Sequence, residues 1–248
     1  MGTLIKEEIF HIVKKKRFIL FSVIAILGLI AVAISTKSGY WNDLTYYFAV
    51  QDYMLNVFNT VIGFALIISV YRRKFTKSSI ELFEECGVAR PLGVLARFIS
   101  SALILIACYV LFALILIITG LIFGAHLTAA ETGELVIRLL MDCLASISCY
   151  SIAQFWLYLF AFPVFPVIIY EALMLGAPYF FRFFGMYAIK QFKTACYVVP
   201  KILADNVYTG ILLHNVSWFS FVLILVQMAV PLLLTMLVFK LKKEGKEN

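Results

Sequence analysis

The chain is poor in charge. Only 14% of its 248 residues are charged, against roughly 25% in an average soluble domain, and 63% are hydrophobic. The charges are concentrated in short stretches, which leaves apolar runs long enough to cross the roughly 30 Å hydrocarbon core of a bilayer as helices. The longest stretch between such runs is about 35 residues, too short for an unaided domain. The sequence therefore predicts one all-α polytopic transmembrane domain over residues 1–248 and no soluble domain.

Motifs for catalysis and metal binding are also missing. The chain has no GxxxxGK[ST] phosphate loop, no GxSxG nucleophile turn and no HExxH zinc motif. Its three histidines are far apart, and its five cysteines are scattered without a CxxC pair. We therefore expect no catalytic residue, metal site or cofactor in this chain. The net charge of +7 does not predict nucleic-acid binding, because bases in membrane proteins mostly flank the spans.

One enzyme class needs separate treatment, because intramembrane glutamate proteases of the CAAX-processing type carry a Glu-Glu-x-x-x-Arg motif. Here Glu84 and Glu85 are separated from Arg90 by one residue too many. His126 and His214 also lie outside the FxxxH and HxxxN contexts of those enzymes. The pattern argues against this activity.

Six spans fit the apolar runs best. The run from Leu139 to Phe181 is about twice one crossing, and Pro163 and Pro166 near its middle predict a break and a hairpin. The predicted spans are 18–35, 50–71, 98–123, 137–161, 163–182 and 216–239. We expect the first run to be a retained span, because no small-x-small cleavage pattern follows it.

Orientation follows from the lysines and arginines. With a cytoplasmic amino terminus, fifteen of the 21 lie on the inner side, which satisfies the positive-inside rule. Both termini are then predicted to be cytoplasmic. The basic outer segment 182–215 departs from the rule, and its 186–199 part predicts either an amphipathic interface helix or an ordinary cap on the spans.

A short helix is predicted at 79–86, between the second and third spans. Ser78 and Glu81 have the spacing of a capping box. Gly87 suits the position after a helix end, and Pro91 prevents continuation. Two interpretations stay open: a plain surface loop, or a coupling helix that docks on a cytosolic ATPase with Ile80 and Phe83.

The segment also carries a resemblance. Gly87-Val88-Ala89-Arg90 followed by Arg97, after a basic amino-terminal helix, resembles the small six-span permeases of ABC-2 type transporters, such as those of bacitracin and lantibiotic immunity. The resemblance implies a non-catalytic permease that works with ABC ATP-binding subunits carrying ATP and Mg²⁺. It also implies a second membrane subunit, identical or related, and a peptide, antibiotic or lipid-like substrate. The implied ATPase-docking residues are Ile80, Glu81, Phe83, Glu84, Glu85 and Arg90.

In this family an elbow helix precedes the first span. Ile5, Ile9, Ile12 and Val13 form a helical stripe that fits such a helix. A basic cluster follows, predicted to contact anionic lipid headgroups: Lys14, Lys15, Lys16 and Arg17. A basic tail that only orients the first span is the alternative, and it does not predict the stripe.

Polar residues inside the spans are candidates for a substrate path or gate, because charge in the hydrocarbon core is costly. Glu171 is the clearest, with a buried structural hydrogen bond as the alternative role. Asp142 is the second, and its spacing from Arg138 predicts a pair on one helix face. Gln154 and Gln227 complete the set. A stand-alone secondary transporter is the main alternative function, and an intramembrane enzyme ranks third.

Overall fold

The computed structural model describes residues 2–37, 43–74, 89–160, 162, 164–180 and 199–241. All regular secondary structure in these residues is helical. The helices are α1 Gly2–Val13, α2 Lys16–Lys37, α3 Asp43–Lys74, α4 Arg90–Ile122, α5 Ala129–Phe160, α6 Val164–Glu171, α7 Pro200–Leu212 and α8 Trp218–Leu241. Helix α6 continues through a π-helical turn at Ala172–Gly176 and is helical again to residue 180.

Five of these helices are long and apolar enough to cross a membrane. The segments are Lys16–Thr36, Thr45–Ser69, Pro91–Ile122, Ala129–Phe160 and Trp218–Lys240. They contain most of the predicted first, second, third, fourth and sixth spans, so the all-helical class is confirmed, and these apolar helices are consistent with a membrane protein. The predicted fifth span corresponds to Val164–Phe180, which at ~25 Å is shorter than a typical crossing. The count of six therefore stays a prediction.

Local sequence explains where several helices begin. At the start of α5, Thr128 and Glu131 form a capping box in which the Glu131 carboxylate accepts from the Thr128 backbone N–H at 2.8 Å and from its hydroxyl at 2.7 Å. Ser217 caps α8 by accepting from the Ser220 N–H at 3.3 Å. Helix α7 begins at Pro200, in the first turn, where a missing N–H costs nothing.

Helix α5 lies at the centre of the bundle and packs against α3, α4, α6, α7 and α8. Helix α5 ends at Phe160 and α6 begins at Val164, near the two prolines. The two helices pack against each other as the predicted hairpin. At one end of the bundle α1 contacts the start of α4, and Phe239 of α8 packs on Val94 and Tyr158. We call this end, which carries α1 and the end of α8, the near end, and the other the far end.

Helix α1 is a separate helix that ends at Val13, and α2 begins at Lys16. It packs on α4, and the Ser100 hydroxyl donates to the Ile5 carbonyl at 3.3 Å. The expected apolar stripe was wrong at one position, because Val13 is exposed while Glu8 lies buried on the packed face beside Ile12. The acid is tolerated there because the Arg97 guanidinium approaches it to 3.9 Å.

Candidate functional site

A row of polar side chains runs along α5 from Arg138 to Tyr158. Its members are four residues apart: Arg138, Asp142, Ser146, Tyr150, Gln154 and Tyr158. Four-residue steps advance slightly beyond one helical turn, so the row winds around α5 and meets different neighbours along the bundle. Charged and polar groups at these depths are expensive unless they are paired or line a cavity. We call this set the polar row.

Ion pairs surround the far end of the polar row. Arg138 pairs with Asp52 of α3. The Lys201 ammonium of α7 lies 2.7 Å from Asp142 Oδ1 and 2.5 Å from Asp205 Oδ1. Asp142 is 1% exposed, and its Oδ2 has no hydrogen-bond partner among the described residues. The predicted Arg138–Asp142 pair is therefore wrong: each residue pairs with a different helix, because α5 is surrounded by neighbours.

The environment of Lys201 favours its charged form. Burial lowers the pKa of Lys201, but the carboxylates of Asp142 and Asp205 raise it by more, so the net shift is upward. The ammonium is therefore charged at neutral pH. It ties α7, which lies outside the spanning helices, to the polar row of α5.

A pocket of about 100 Å³ opens beside these ion pairs. That volume is enough for several water molecules. Its polar lining comes from α3, α5, α7 and the end of the segment after α6. The polar lining residues are Asp52, Asn56, Arg138, Tyr179, Lys201 and Asp205. We call it the polar pocket.

The polar pocket is adjacent to a buried hydrogen-bonded cluster nearer the middle of the bundle. The Tyr109 hydroxyl contacts Asn59 Oδ1 at 2.6 Å and the Ser146 hydroxyl at 2.7 Å, while Ser146 also reaches Asn59 at 3.0 Å. Met174, which lines the pocket, has its sulfur 3.9 Å from the same Ser146 hydroxyl. Polar groups thus continue from the pocket into the bundle between α3, α4 and α5.

Glu171 lies on α6, immediately before the π-helical turn. Its Oε2 accepts from the Thr60 hydroxyl of α3 at 2.9 Å, and its Oε1 has no hydrogen-bond partner among the described residues. The same Thr60 hydroxyl lies 2.9 Å from the Asn56 carbonyl oxygen, so its one hydrogen is shared between the two acceptors, and the Asn56 amide donates to the Tyr179 hydroxyl at 2.7 Å. Glu171 is therefore linked through α3 to the polar pocket. Single π-helical turns occur often at functional sites in helices.

The near end of the polar row is also hydrogen-bonded. Tyr150 and Ser101 of α4 share a hydrogen bond of 2.8 Å. Arg97, which is 2% exposed, donates to the Tyr158 hydroxyl at 2.6 Å and faces Glu8 of α1. Arg97 thus joins α1, α4 and α5 where α4 enters the bundle.

The structure separates the predicted path residues. Neither Asp142 nor Glu171 lines the polar pocket. Asp142 pairs with Lys201 of the lining, and Glu171 is linked to Asn56 of the lining through Thr60. Gln154 is buried, and its side-chain amide has no hydrogen-bond partner among the described residues. Gln227 lies half-buried on α8, away from the pocket lining.

The structure describes only some of the residues predicted to lie at the membrane surface or on the ATPase. The docking residues Ile80–Glu85 and the 79–86 helix lie outside the described residues, as does the 186–198 part of the outer segment. Arg90 is the first residue of α4. Of the basic cluster, Lys14, Lys16 and Arg17 are exposed, and Lys15 donates to the Ser69 carbonyl of α3.

Sequence reasoning missed the partners on α3 and α7. Asp52, Asn56, Asn59 and Gly63 recur at helical spacing within an apolar span and mark the face that meets α5 and α6. Lys201 and Asp205, four residues apart, give the corresponding signal on α7. A search for periodic polar residues within the spans would have found the α3 face, and the same search in the predicted outer segment would have found the α7 pair.

No protein-family model matches the chain, and no curated protein matches it in sequence. The functional assignment therefore rests on the geometry of the polar pocket and on the sequence resemblance. Among the described residues no three histidine, cysteine, aspartate or glutamate side chains are placed to hold a metal ion.

Proposed function

We propose that the chain is the permease subunit of an ABC transporter of the ABC-2 type, located in a bacterial plasma membrane with both termini cytoplasmic. It moves a peptide, antibiotic or lipid-like substrate with ATP hydrolysed by separate ATP-binding subunits, and it pairs with a second membrane subunit. The observation that carries the proposal is the polar pocket, which leads into buried polar contacts within an otherwise apolar bundle. Such a route suits a polar solute and has no evident purpose in a purely structural membrane protein.

The near end supports the coupling part of the proposal. Helix α4 begins directly after the segment proposed to dock on the ATPase, and Arg97 joins α4 to α1 and to the polar row. A displacement of the start of α4 is therefore transmitted to α5 through buried contacts. Transitions of this kind move packed helices as rigid units.

Ile80→Asp combined with Phe83→Asp tests the docking. We expect the full-length tagged chain to co-purify from native membranes with a subunit that contains a GxxxxGK[ST] motif and hydrolyses ATP. The double variant should lose at least ten-fold of that subunit, because it removes the apolar contact and adds two carboxylates. Mass spectrometry and ATPase assay of the eluate provide the measurement.

Ser79→Asp is the matched control, because it adds an acid to the same segment without removing an apolar side chain. It should retain the ATPase subunit. Recovery of that subunit by the double variant at the wild-type level would contradict the docking proposal.

Glu171→Gln tests the substrate path. Glutamine keeps an oxygen that can accept from Thr60, so we expect the protein to reach the membrane at the wild-type level. Loss of the charge should reduce protection against bacitracin or a lantibiotic at least four-fold, measured as the inhibitory concentration in cells that also express the ATPase. Unchanged protection would remove Glu171 from the path and favour its structural role beside Thr60.

A stand-alone secondary transporter is the second candidate. The observation that favours it is the pair of carboxylates, Asp142 and Glu171, among the spanning helices, since such groups serve as ion or proton sites in these transporters. Proteoliposomes separate the two proposals. Transport driven by an imposed ion gradient without any ATPase supports the secondary transporter, whereas an absolute requirement for the ATPase and ATP supports the permease.

A further inference from the structure

A narrow cleft of about 40 Å³ lies between α2 and α4, above α3. Phe58 and Ile62 of α3 form its floor, since they line the cleft and are only 7% and 1% exposed. The walls come from the two flanking helices and include Ser22, Ala25 and Ile26 of α2 and Cys108 and Leu111 of α4. We call this space the apolar cleft.

Small side chains on the two walls produce the cleft. Helix α2 packs closely on α3 and touches α4 at fewer positions. Ser22 and Ala25 line the cleft from α2, and Cys108 lines it from α4. These side chains are too short to fill the gap, so the two helices leave a space that larger residues would close.

The cleft lies midway along the helices that are long and apolar enough to cross a membrane. Ile26 is at the centre of the spanning segment of α2, and Cys108 is near the centre of that of α4. The floor residues lie in the central part of the spanning segment of α3. Leu111, which is 47% exposed, marks the open side. In a bilayer with a hydrocarbon core of roughly 30 Å, the opening therefore faces acyl chains rather than headgroups.

The lining and the width of the cleft restrict what can fill it. Apart from the Ser22 hydroxyl and the Cys108 thiol, the lining side chains are apolar, and small apolar cavities stay dry. A helix of a second chain has a diameter of about 10–12 Å and is too wide to enter. An acyl chain is narrow and flexible, and it is present at this depth of a bilayer. Its entry restores the dispersion contacts that an empty cleft loses.

We propose that the apolar cleft is a lipid-binding site that holds a segment of one phospholipid acyl chain between α2 and α4. The volume is enough for a few methylene groups, so the rest of the lipid lies on the surface of the bundle. The site recognises the chain by shape and apolar contact, not by the headgroup. The proposal depends on the membrane location of the bundle and not on the proposed transport activity.

Photolabelling of the purified full-length chain in phosphatidylcholine nanodiscs tests the proposal. The probe is a trace of phosphatidylcholine with a diazirine midway along one acyl chain, and mass spectrometry maps the adducts after irradiation. We expect adducts on Phe58 and Ile62 of the cleft floor. Leu66, which is as buried on α3 as Ile62 but does not line the cleft, should carry none. Adducts confined to exposed side chains such as Leu27 would show that lipid passes over the opening without entering, and would overturn the proposal.

Substitutions on opposite walls locate the acyl chain. Ser22→Phe and Cys108→Phe each place an aromatic ring in the cleft, so either should lower the yield of adducts at Ile62 by about five-fold or more. Ser35→Phe is the matched control, because Ser35 is an exposed residue of the same helix as Ser22 and lies outside the lining. Its yield should stay within about two-fold of wild type. An unchanged yield at Ile62 in both cleft variants would exclude the cleft as the site.

A second probe needs no substitution. Phosphatidylcholine with the diazirine beside the ester carbonyl should label residues at the helix ends and leave Ile62 unlabelled, because the floor lies midway along the span. Equal labelling of Ile62 by both probes would contradict insertion of the chain at this depth. None of these measurements includes an ATPase or a transported substrate. Failure of the photolabelling therefore leaves the docking experiment intact, and loss of the ABC assignment leaves the photolabelling intact.

Discussion

Lys201→Met lowers the free energy of unfolding by about 3–5 kcal/mol, the expected loss when one partner of a buried ion pair is removed. Methionine matches the length of lysine but cannot neutralise Asp142, whose only ion-pair partner in the described structure is Lys201. Asp142 is 1% exposed and cannot regain water without local opening of the bundle. Reversible unfolding of the purified chain in mixed detergent micelles provides the measurement.

Neutralising the acidic partner, Asp142, should lower the free energy of unfolding by less than Lys201→Met does. Asp142→Asn leaves Lys201 paired with Asp205, and Asp205 is partly exposed. The double variant Asp142→Asn/Lys201→Met should be more stable than Lys201→Met alone, because neither buried charge remains. Lys6→Met, at an exposed position of α1, is the control and should change stability by no more than about 0.5 kcal/mol. If Asp142→Asn lost as much stability as Lys201→Met, the expected difference between the two partners would be contradicted.

The pH dependence of this contribution has a defined sign. Because the pKa of Lys201 is raised in the folded chain, its stabilisation is fully present below the unfolded pKa of about 10.4. It is lost as the pH rises through the folded pKa. The stability difference between wild type and Lys201→Met should therefore stay large at pH 7–9 and decrease only in strongly alkaline buffer.

Much of the architecture follows from the sequence because the bilayer imposes simple rules. Apolar length sets the spanning helices, and the two prolines predict the break between α5 and α6. The helix bounds differ from the predicted spans because a helix can continue through polar residues beyond its apolar run. Helix α5 begins at Ala129, eight residues before the predicted span, since the capping box of Thr128 and Glu131 sets its start.

The site was only partly predictable, for a physical reason. A charge within a span indicates that a partner exists but not which helix supplies it. The sequence therefore predicts Arg138, its neighbour on the same helix, as the partner of Asp142, whereas the packing of α7 against α5 brings Lys201 to it. Similarly, Glu8 was not expected on the buried face of α1, because only the tertiary contact with Arg97 stabilises a carboxylate there.

Gly63→Ala destabilises the bundle by more than about 1–3 kcal/mol, the usual cost of adding a methyl group to a packed core. A Cβ at position 63 would lie 2.1 Å from Cε1 of Tyr170. Tyr170 is fully buried on α6, next to Glu171, so its ring cannot move into solvent. The Tyr170 ring or the helices α3 and α6 must therefore shift to admit the methyl group, which disturbs the packing beside the Thr60–Glu171 hydrogen bond. Unfolding in mixed micelles measures the loss.

Gly28→Ala separates this steric effect from any general effect of alanine in a membrane helix. Position 28 of α2 has no atom within 4 Å of an added Cβ, so this substitution should be neutral or slightly stabilising, because alanine has the higher helix propensity. Tyr170→Leu combined with Gly63→Ala should recover part of the loss, because the smaller side chain vacates the overlapping volume. Additive losses in that double variant, or equal stability of the Gly63 and Gly28 variants, would show that the close approach of α3 and α6 does not depend on glycine.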